Sequence, residues 1–283
     1  MLVADNLVKT FSKRTEKGRR IEFNAVDGIS LKVSPGEIVG ILGPNGAGKT
    51  TFLRMLATLM NPTSGKVYIT HDKERDWEKN IAVNPANDSE AAKAHDDTSK
   101  NELITDPLKI KECIGYLSGN TKLYGRMYVR EMLELFAGLY GMPESRIKDR
   151  VNEVESLLGL SDFIDNRIEK LSTGQTQRVS IARCIVHDPD IYIFDEPTLG
   201  LDIISSSAII EFMKQEKLKG KTVVYSTHYM EEAEYLCDRI IMLDKGRQIT
   251  NMSPEKLKQE TGTSNMREAF YEVIRREGMA DED

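Results

Sequence analysis

Residues 37–50 read Glu37-Ile38-Val39-Gly40-Ile41-Leu42-Gly43-Pro44-Asn45-Gly46-Ala47-Gly48-Lys49-Thr50. The first part is an apolar run of strand length. The last eight residues fit the phosphate-loop pattern G-x-x-x-x-G-K-[ST]. Beyond them Phe52, Leu53, Leu56, Ala57 and Met60 recur at helical spacing and predict a helix with one buried face. A glycine-rich turn between a strand and a helix aims successive backbone N–H groups at phosphate oxygens, and the helix N-terminus adds its positive dipole. In that setting Lys49 reaches toward the β- and γ-phosphates, and the Thr50 hydroxyl is a ligand for the Mg²⁺ that bridges them. An ordinary glycine-rich turn with an exposed lysine would leave the flanking strand and helix as coincidence.

The chain has 283 residues, 40% of them hydrophobic. That suffices for a full core, as one large domain or as a domain with a lobe inserted in it. The net charge of −6 argues against sequence-independent binding to nucleic acid, which needs a basic surface. Met1 to Phe11 shows no basic segment leading into a long apolar core. Nor does any apolar run reach the roughly 18 residues of a membrane-spanning helix. Neither a signal peptide nor a transmembrane segment is expected, and any membrane role must come through a partner. Cys113, Cys184 and Cys237 are widely spaced and form no C-x-x-C pair, which favours reduced thiols in a cytosolic chain.

Residues 2–42 predict a mixed β region of short strands: Leu2-Val3-Ala4, a polar turn from Ser12 to Arg20, and alternation through Ile29, Leu31 and Val33. From Asp72 to about Asp106 the composition turns polar and predicts a surface insertion. His71 and His95 lie in or beside it without ligand-like spacing and receive no metal role. Helical spacing returns from Val129 to Gly159 and again after Gly174, ending at His187-Asp188-Pro189. Strands follow at Ile191 to Phe194, Thr222 to Ser226 and Arg239 to Leu243, an α/β order. Met266, Ala269, Phe270, Val273 and Ile274 predict a last helix packed on the core.

The strand Ile191 to Phe194 runs into Asp195-Glu196-Pro197, two adjacent carboxylates at a strand end. Beside a phosphate loop they divide the labour: Asp195 holds Mg²⁺, directly or through water, while Glu196 polarises the water that attacks a γ-phosphate. Upstream, Leu171-Ser172-Thr173-Gly174-Gln175 resembles the signature motif of ATP-binding cassette ATPases. Leu199-Gly200-Leu201-Asp202 resembles that family's D-loop, and Ser226-Thr227-His228 its switch histidine. The order of parts also agrees, and the resemblance spans roughly residues 2–250.

The resemblance implies an α/β fold: a P-loop NTPase core with mixed and parallel sheet, an N-terminal antiparallel β region and an inserted α-helical lobe. A cassette domain over residues 1–250 would carry the polar insertion at about 72–106 and the helical lobe at about 120–188, with residues 251–283 as a helical tail. ATP and Mg²⁺ are the implied cofactors. Gly43, Pro44, Asn45, Gly46, Ala47, Gly48, Lys49, Thr50 and Thr51 would cradle the phosphates, with Thr50 and Asp195 on the metal. Lys49, Glu196 and His228 are the catalytic candidates, and His228 would report whether a γ-phosphate is present. Phe11 falls where the family stacks an aromatic ring on adenine, with Phe23 as a rival and core packing as the alternative.

Cassettes of this family pack head to tail, so Ser172, Gly174, Gln175 and Asp202 of one subunit are expected to close over the ATP of the other. Ser172 would also cap its own helix, and the two roles are compatible because a helix N-cap is an anion site. Implied partners are a transmembrane permease subunit and a second cassette, alike or different, with no nucleic acid, on the cytoplasmic face of a membrane. Strings such as Ile181-Ala182-Arg183 and Leu236-Cys237-Asp238-Arg239 resemble the sodium-export and drug-export branch. One departure stands out: Ile114 to Gly119 resembles the segment that ends in the family's Q-loop glutamine, yet Gly119 fills that place, with Asn120 offering an amide one residue later. A soluble cassette in translation or DNA repair, or a hydrolysis-deficient nucleotide-binding regulator, would share many of these motifs.

Overall fold

The computed structural model describes residues 1–14, 18, 20–71, 102–119 and 122–280. Its centre is a six-stranded sheet in the order β10-β9-β3-β8-β7-β6. The strands are β3 (Ile38–Leu42), β6 (Ile114–Leu117), β7 (Ile191–Asp195), β8 (Thr222–Ser226), β9 (Arg239–Asp244) and β10 (Arg247–Met252). All neighbours pair in parallel except β10, which returns antiparallel to β9. Every residue of β3, β7 and β8 is buried, which is why these strands read as continuous apolar runs: a parallel sheet is covered on both faces.

Alternation along those strands divides the core in two. Val39, Ile41, Ile193, Val224 and Ile241 face one way and pack with Phe52, Leu53 and Leu56 of α1 (Lys49–Leu56). Ile38, Leu42, Tyr192, Phe194, Val223 and Tyr225 face the other way and pack against a second layer of helices. That second layer includes α3 (Val129–Leu139), α4 (Glu144–Leu158) and α5 (Thr173–Ile185). It also includes α6 (Ile203–Leu218), α7 (Met230–Leu236), α8 (Pro254–Thr261) and α9 (Met266–Ala280). Met266, Ala269 and Val273 bury one face of α9 in this cluster.

Over α1 lies a four-stranded antiparallel sheet in the order β2-β1-β4-β5. It is formed by β1 (Leu2–Arg14), β2 (Arg20–Val33), β4 (Ser64–His71) and β5 (Glu102–Ile104). Here the structure corrects the expectation of short strands, for β1 and β2 have 13 and 14 residues. Register shifts between Ala4 and Leu7 and again between Leu7 and Lys9 interrupt the alternation that a sequence pattern depends on. The outer half, out to Arg14 opposite Arg20, buries no side chain and leaves Ile21 and Phe23 exposed. The polar stretch expected to reach Asp106 is also shortened, because Glu102–Ile104 pairs with β4 and Asp106 caps α2 (Pro107–Glu112) by accepting from the Leu108 N–H at 2.9 Å. His95 and Asn120 lie outside the described residues. No helix among the described residues is long and apolar enough to cross a membrane.

Candidate functional site

The phosphate loop joins the end of β3 to α1. Gly48, the residue preceding α1, has φ +102°, a conformation that side chains with a Cβ rarely adopt. A Cβ there would also come within 2.2 Å of the Ala25 carbonyl oxygen, so the loop lies against β2 with no room for a larger residue. Lys49 opens α1 and folds back over the loop, its Nζ donating to the carbonyls of Gly43 at 2.8 Å and Pro44 at 3.1 Å. The residue is only 6% exposed. Burial pushes the Lys49 ammonium below its ordinary pKa, and the nearby charges of Glu196 and Asp195 oppose that shift.

Those two carboxylates come from the end of β7. Parallel pairing sets Asp195 directly opposite Ser226 at the end of β8. Asp195 is 4% exposed, and its Oδ1 accepts a 2.7 Å hydrogen bond from the Ser226 hydroxyl. Glu196 leaves the strand in the left-handed region at φ +55°, a conformation that costs about 1–3 kcal/mol unless its surroundings impose it. Here its N–H donates to Ser226 O at 3.2 Å and Ser226 Oγ at 3.1 Å. The turn points the Glu196 side chain at His228, whose Nε2 lies 2.8 Å from Glu196 Oε2. Glu232 of α7 ties the same two loops together, accepting from Thr198 Oγ1 at 3.0 Å and Thr227 Oγ1 at 3.2 Å. Its own pKa is raised, chiefly by burial.

Lys49, Asp195, Glu196 and His228 are thus brought together at the C-terminal ends of three neighbouring strands. Gly119, following β6, adjoins them: a Cβ on it would sit 3.5 Å from the Asp195 carbonyl oxygen. The signature segment forms a second group. Ser172 N-caps α5 in a reciprocal capping box, its Oγ accepting from Gln175 N at 3.3 Å while Gln175 Oε1 accepts from Ser172 N at 2.9 Å. Gly174 adjoins Leu201, since a Cβ on it would lie 3.8 Å from Leu201 Cδ2. Asp202 caps α6, accepting from Ser205 N at 2.9 Å and Ser205 Oγ at 2.8 Å. That hydrogen bonding holds the Asp202 carboxyl below its usual range. Gln177 of α5 links the two groups by donating to Pro197 O at 2.9 Å.

Phe11 pairs across β1 and β2 with Phe23, their rings 6.1 Å apart. The two adenine-stacking candidates therefore occupy one exposed aromatic spot. Ser226, Glu232 and Gln177 were not singled out from sequence. Only Ser226 carried a signal, its place at the end of a buried strand two residues before His228.

Residues 26–199 match the family model described as ABC transporter. The chain belongs to the ABC transporter family. It is 36% identical over 264 residues to the ABC transporter ATP-binding protein NatA of Bacillus subtilis (strain 168), covering 93% of this chain and 95% of that protein. It is 32% identical over 254 residues to the Nod factor export ATP-binding protein I of Paraburkholderia xenovorans (strain LB400), covering 89% of this chain and 71% of that one. Among solved structures, a dimeric ATP-binding cassette in a post-hydrolysis state bound to ADP and Pi superposes with a TM-score of 0.70 at 29% identity, covering 89% of this chain and 98% of that one. As an ABC ATP-binding subunit the cassette is an ATPase.

Proposed function

We propose that this cassette binds Mg·ATP between two subunits packed head to tail, hydrolyses it, and so drives a separate membrane permease in the direction of export. The observation that carries the reading is the 2.8 Å contact of His228 Nε2 with Glu196 Oε2, beside a buried Lys49 that both acidic residues influence. A carboxylate oriented by an imidazole N–H is suited to accept a proton from attacking water, and Lys49 with the loop N–H groups stabilises charge on the phosphoryl oxygens. His228 can also turn its N–H to a γ-phosphate.

For Mg²⁺ the residues present fit: Thr50 and Asp195 offer the hard oxygen donors this ion takes, and among the described residues no cluster of three or more His, Cys, Asp or Glu forms a self-contained cage. Such a sparse donor set suits an ion that takes most of its ligands from phosphates and water. Bound there, it would neutralise charge on the β- and γ-phosphate oxygens.

A second subunit is supported by Ile203 and Ile204, which stand 85% and 83% exposed beside Asp202 at the start of α6. Two bare aliphatic side chains next to the signature group suit an interface better than water. The dimer of the related cassette agrees with this. A permease contact is supported by a cleft of about 280 Å³ between the sheet and the helical lobe, lined by Leu59, Tyr116, Phe136, Tyr140, Arg183 and His187. Its floor strand, β6, leads to Gly119 beside Asp195, which gives the cleft a direct chain connection to the candidate metal-holding residue. The direction rests on the resemblance to the export branch and on the export protein among the relatives.

Steady-state ATP turnover tests the reading. Glu196→Gln keeps the size and hydrogen-bonding capacity of the side chain but not its basicity. It should lower turnover at least about a hundredfold, on the scale of losing a general base, while ATP binding survives and an ATP-dependent dimer accumulates on size exclusion. Equal and negligible rates for parent and variant would indicate an inert regulator.

A further inference from the structure

Ser226 is wholly buried, and its single hydroxyl makes two contacts of opposite kind. It donates to Asp195 Oδ1 at 2.7 Å and accepts from the Glu196 N–H at 3.1 Å. With the Glu196 N–H directed at the hydroxyl oxygen, the proton of that hydroxyl is the one available to the Asp195 carboxylate. We propose that Ser226 is a positioning residue for hydrolysis: its hydroxyl fixes the Asp195 carboxylate and, through the same oxygen, the strained turn that presents Glu196. The proposal rests on the reading of Asp195 as the metal-holding residue and Glu196 as the residue that directs water.

The strand register makes the arrangement possible. Asp195 and Ser226 face each other as the last paired residues of β7 and β8, and the contact repeats one step further along, where Glu196 meets His228. The two loops are therefore joined by two rungs, and Ser226 supplies the inner one. On a helix a buried serine can satisfy its own hydroxyl on the carbonyl four residues earlier, as Ser180 does toward Thr176 O at 2.9 Å, an acceptor out of reach along the extended strand that carries Ser226. Ser226 instead donates to a charged acceptor, the stronger class of hydrogen bond. Without that donor Asp195 Oδ1 loses this hydrogen bond, and the carboxylate is held less firmly. The Glu196 N–H would keep Ser226 O, so the turn loosens without collapsing.

The test uses the full chain as Ser226→Ala, Ser226→Thr and Asp195→Asn. Three quantities are read: thermal midpoint, affinity for a non-hydrolysable ATP analogue with EDTA, and the half-saturating Mn²⁺ concentration with that analogue, followed by the Mn²⁺ electron paramagnetic resonance signal. Turnover is measured alongside. Ser226→Ala should leave the EDTA affinity within about twofold, raise the Mn²⁺ midpoint about tenfold and lower kcat about tenfold, the scale of one lost hydrogen bond to a charged acceptor. Ser226→Thr, which keeps the hydroxyl, should return both to within about threefold of the parent. Equal losses in the Ala and Thr variants, or a fall in EDTA affinity that matches the fall in kcat, would show a packing role and overturn the proposal. An unchanged Mn²⁺ midpoint in Ser226→Ala, with a raised one in Asp195→Asn, would overturn it too. If Asp195→Asn itself leaves the midpoint unchanged, the metal assignment beneath the proposal fails instead.

Discussion

His187 lies flat against Tyr140, ring centroids 3.7 Å apart and planes within 14°. Burial pushes its imidazole pKa down to about 4, and the positive charges of Arg150 and Lys221 act in the same direction. Between pH 6.5 and about 4 the unfolded chain binds a proton at this position that the folded chain refuses. Stability should therefore fall as pH drops through that window and level off below it. In His187→Phe, which keeps an aromatic ring under Tyr140, this part of the acid sensitivity should vanish. The stability difference between pH 7.5 and pH 4 should shrink by on the order of 2 kcal/mol, measured by urea denaturation of both proteins.

At the same scale, Asp195, Glu196 and His228 were legible because each sits in a short motif whose chemistry constrains residue type. Ser226 was not, since its importance depends on which residue of another strand stands opposite, and register is invisible along a single strand.

Among the elements, the join between α4 and α5 is the most exacting. Arg150 of α4 donates from Nε to Val186 O at 3.1 Å and from Nη2 to Ile185 O at 2.7 Å, closing the C-terminus of α5. It is also paired with Glu153 at 3.0 Å and lies 3.6 Å from Asp188. The guanidinium fork serves both carbonyls at once, which an ammonium cannot copy. Arg150→Ala should cost about 2 kcal/mol in urea denaturation, and Arg150→Lys a smaller part of that, because two half-buried carbonyls lose their donor. Since α5 begins at Ser172, loosening its far end should also weaken ATP-driven pairing of subunits more than ATP binding itself.

The central strands could be read from sequence because burial on both faces writes them as apolar runs. α6 could not be read in the same way. Ile203 and Ile204 at its start face solvent while Ile209, Phe212 and Met213 are buried, so its apolar residues do not describe one stripe.

Across the whole molecule the two sheets have separate duties. Lys49, Asp195, Glu196 and His228 all follow strands of the six-stranded sheet, while the four-stranded sheet covers α1 from the other side and presents Phe11 and Phe23 at its rim. The segment read as a polar insertion departs from the second sheet, at an edge formed by β4 and β5. There the chain leaves at His71 and re-enters opposite it at Glu102, an antiparallel pair. The ends of that long excursion are therefore already neighbours. Excising residues 73–100 and splicing the gap with an Asn-Gly hairpin turn should yield a shorter protein that melts within a few degrees of its parent and turns over ATP at a comparable rate. Differential scanning calorimetry and a phosphate-release assay would check this. Because His71 and Glu102 already stand side by side, the cost of closing whatever chain connects them grows only slowly with its length, and a cassette built this way can carry a long or a short connection from the same strand pair.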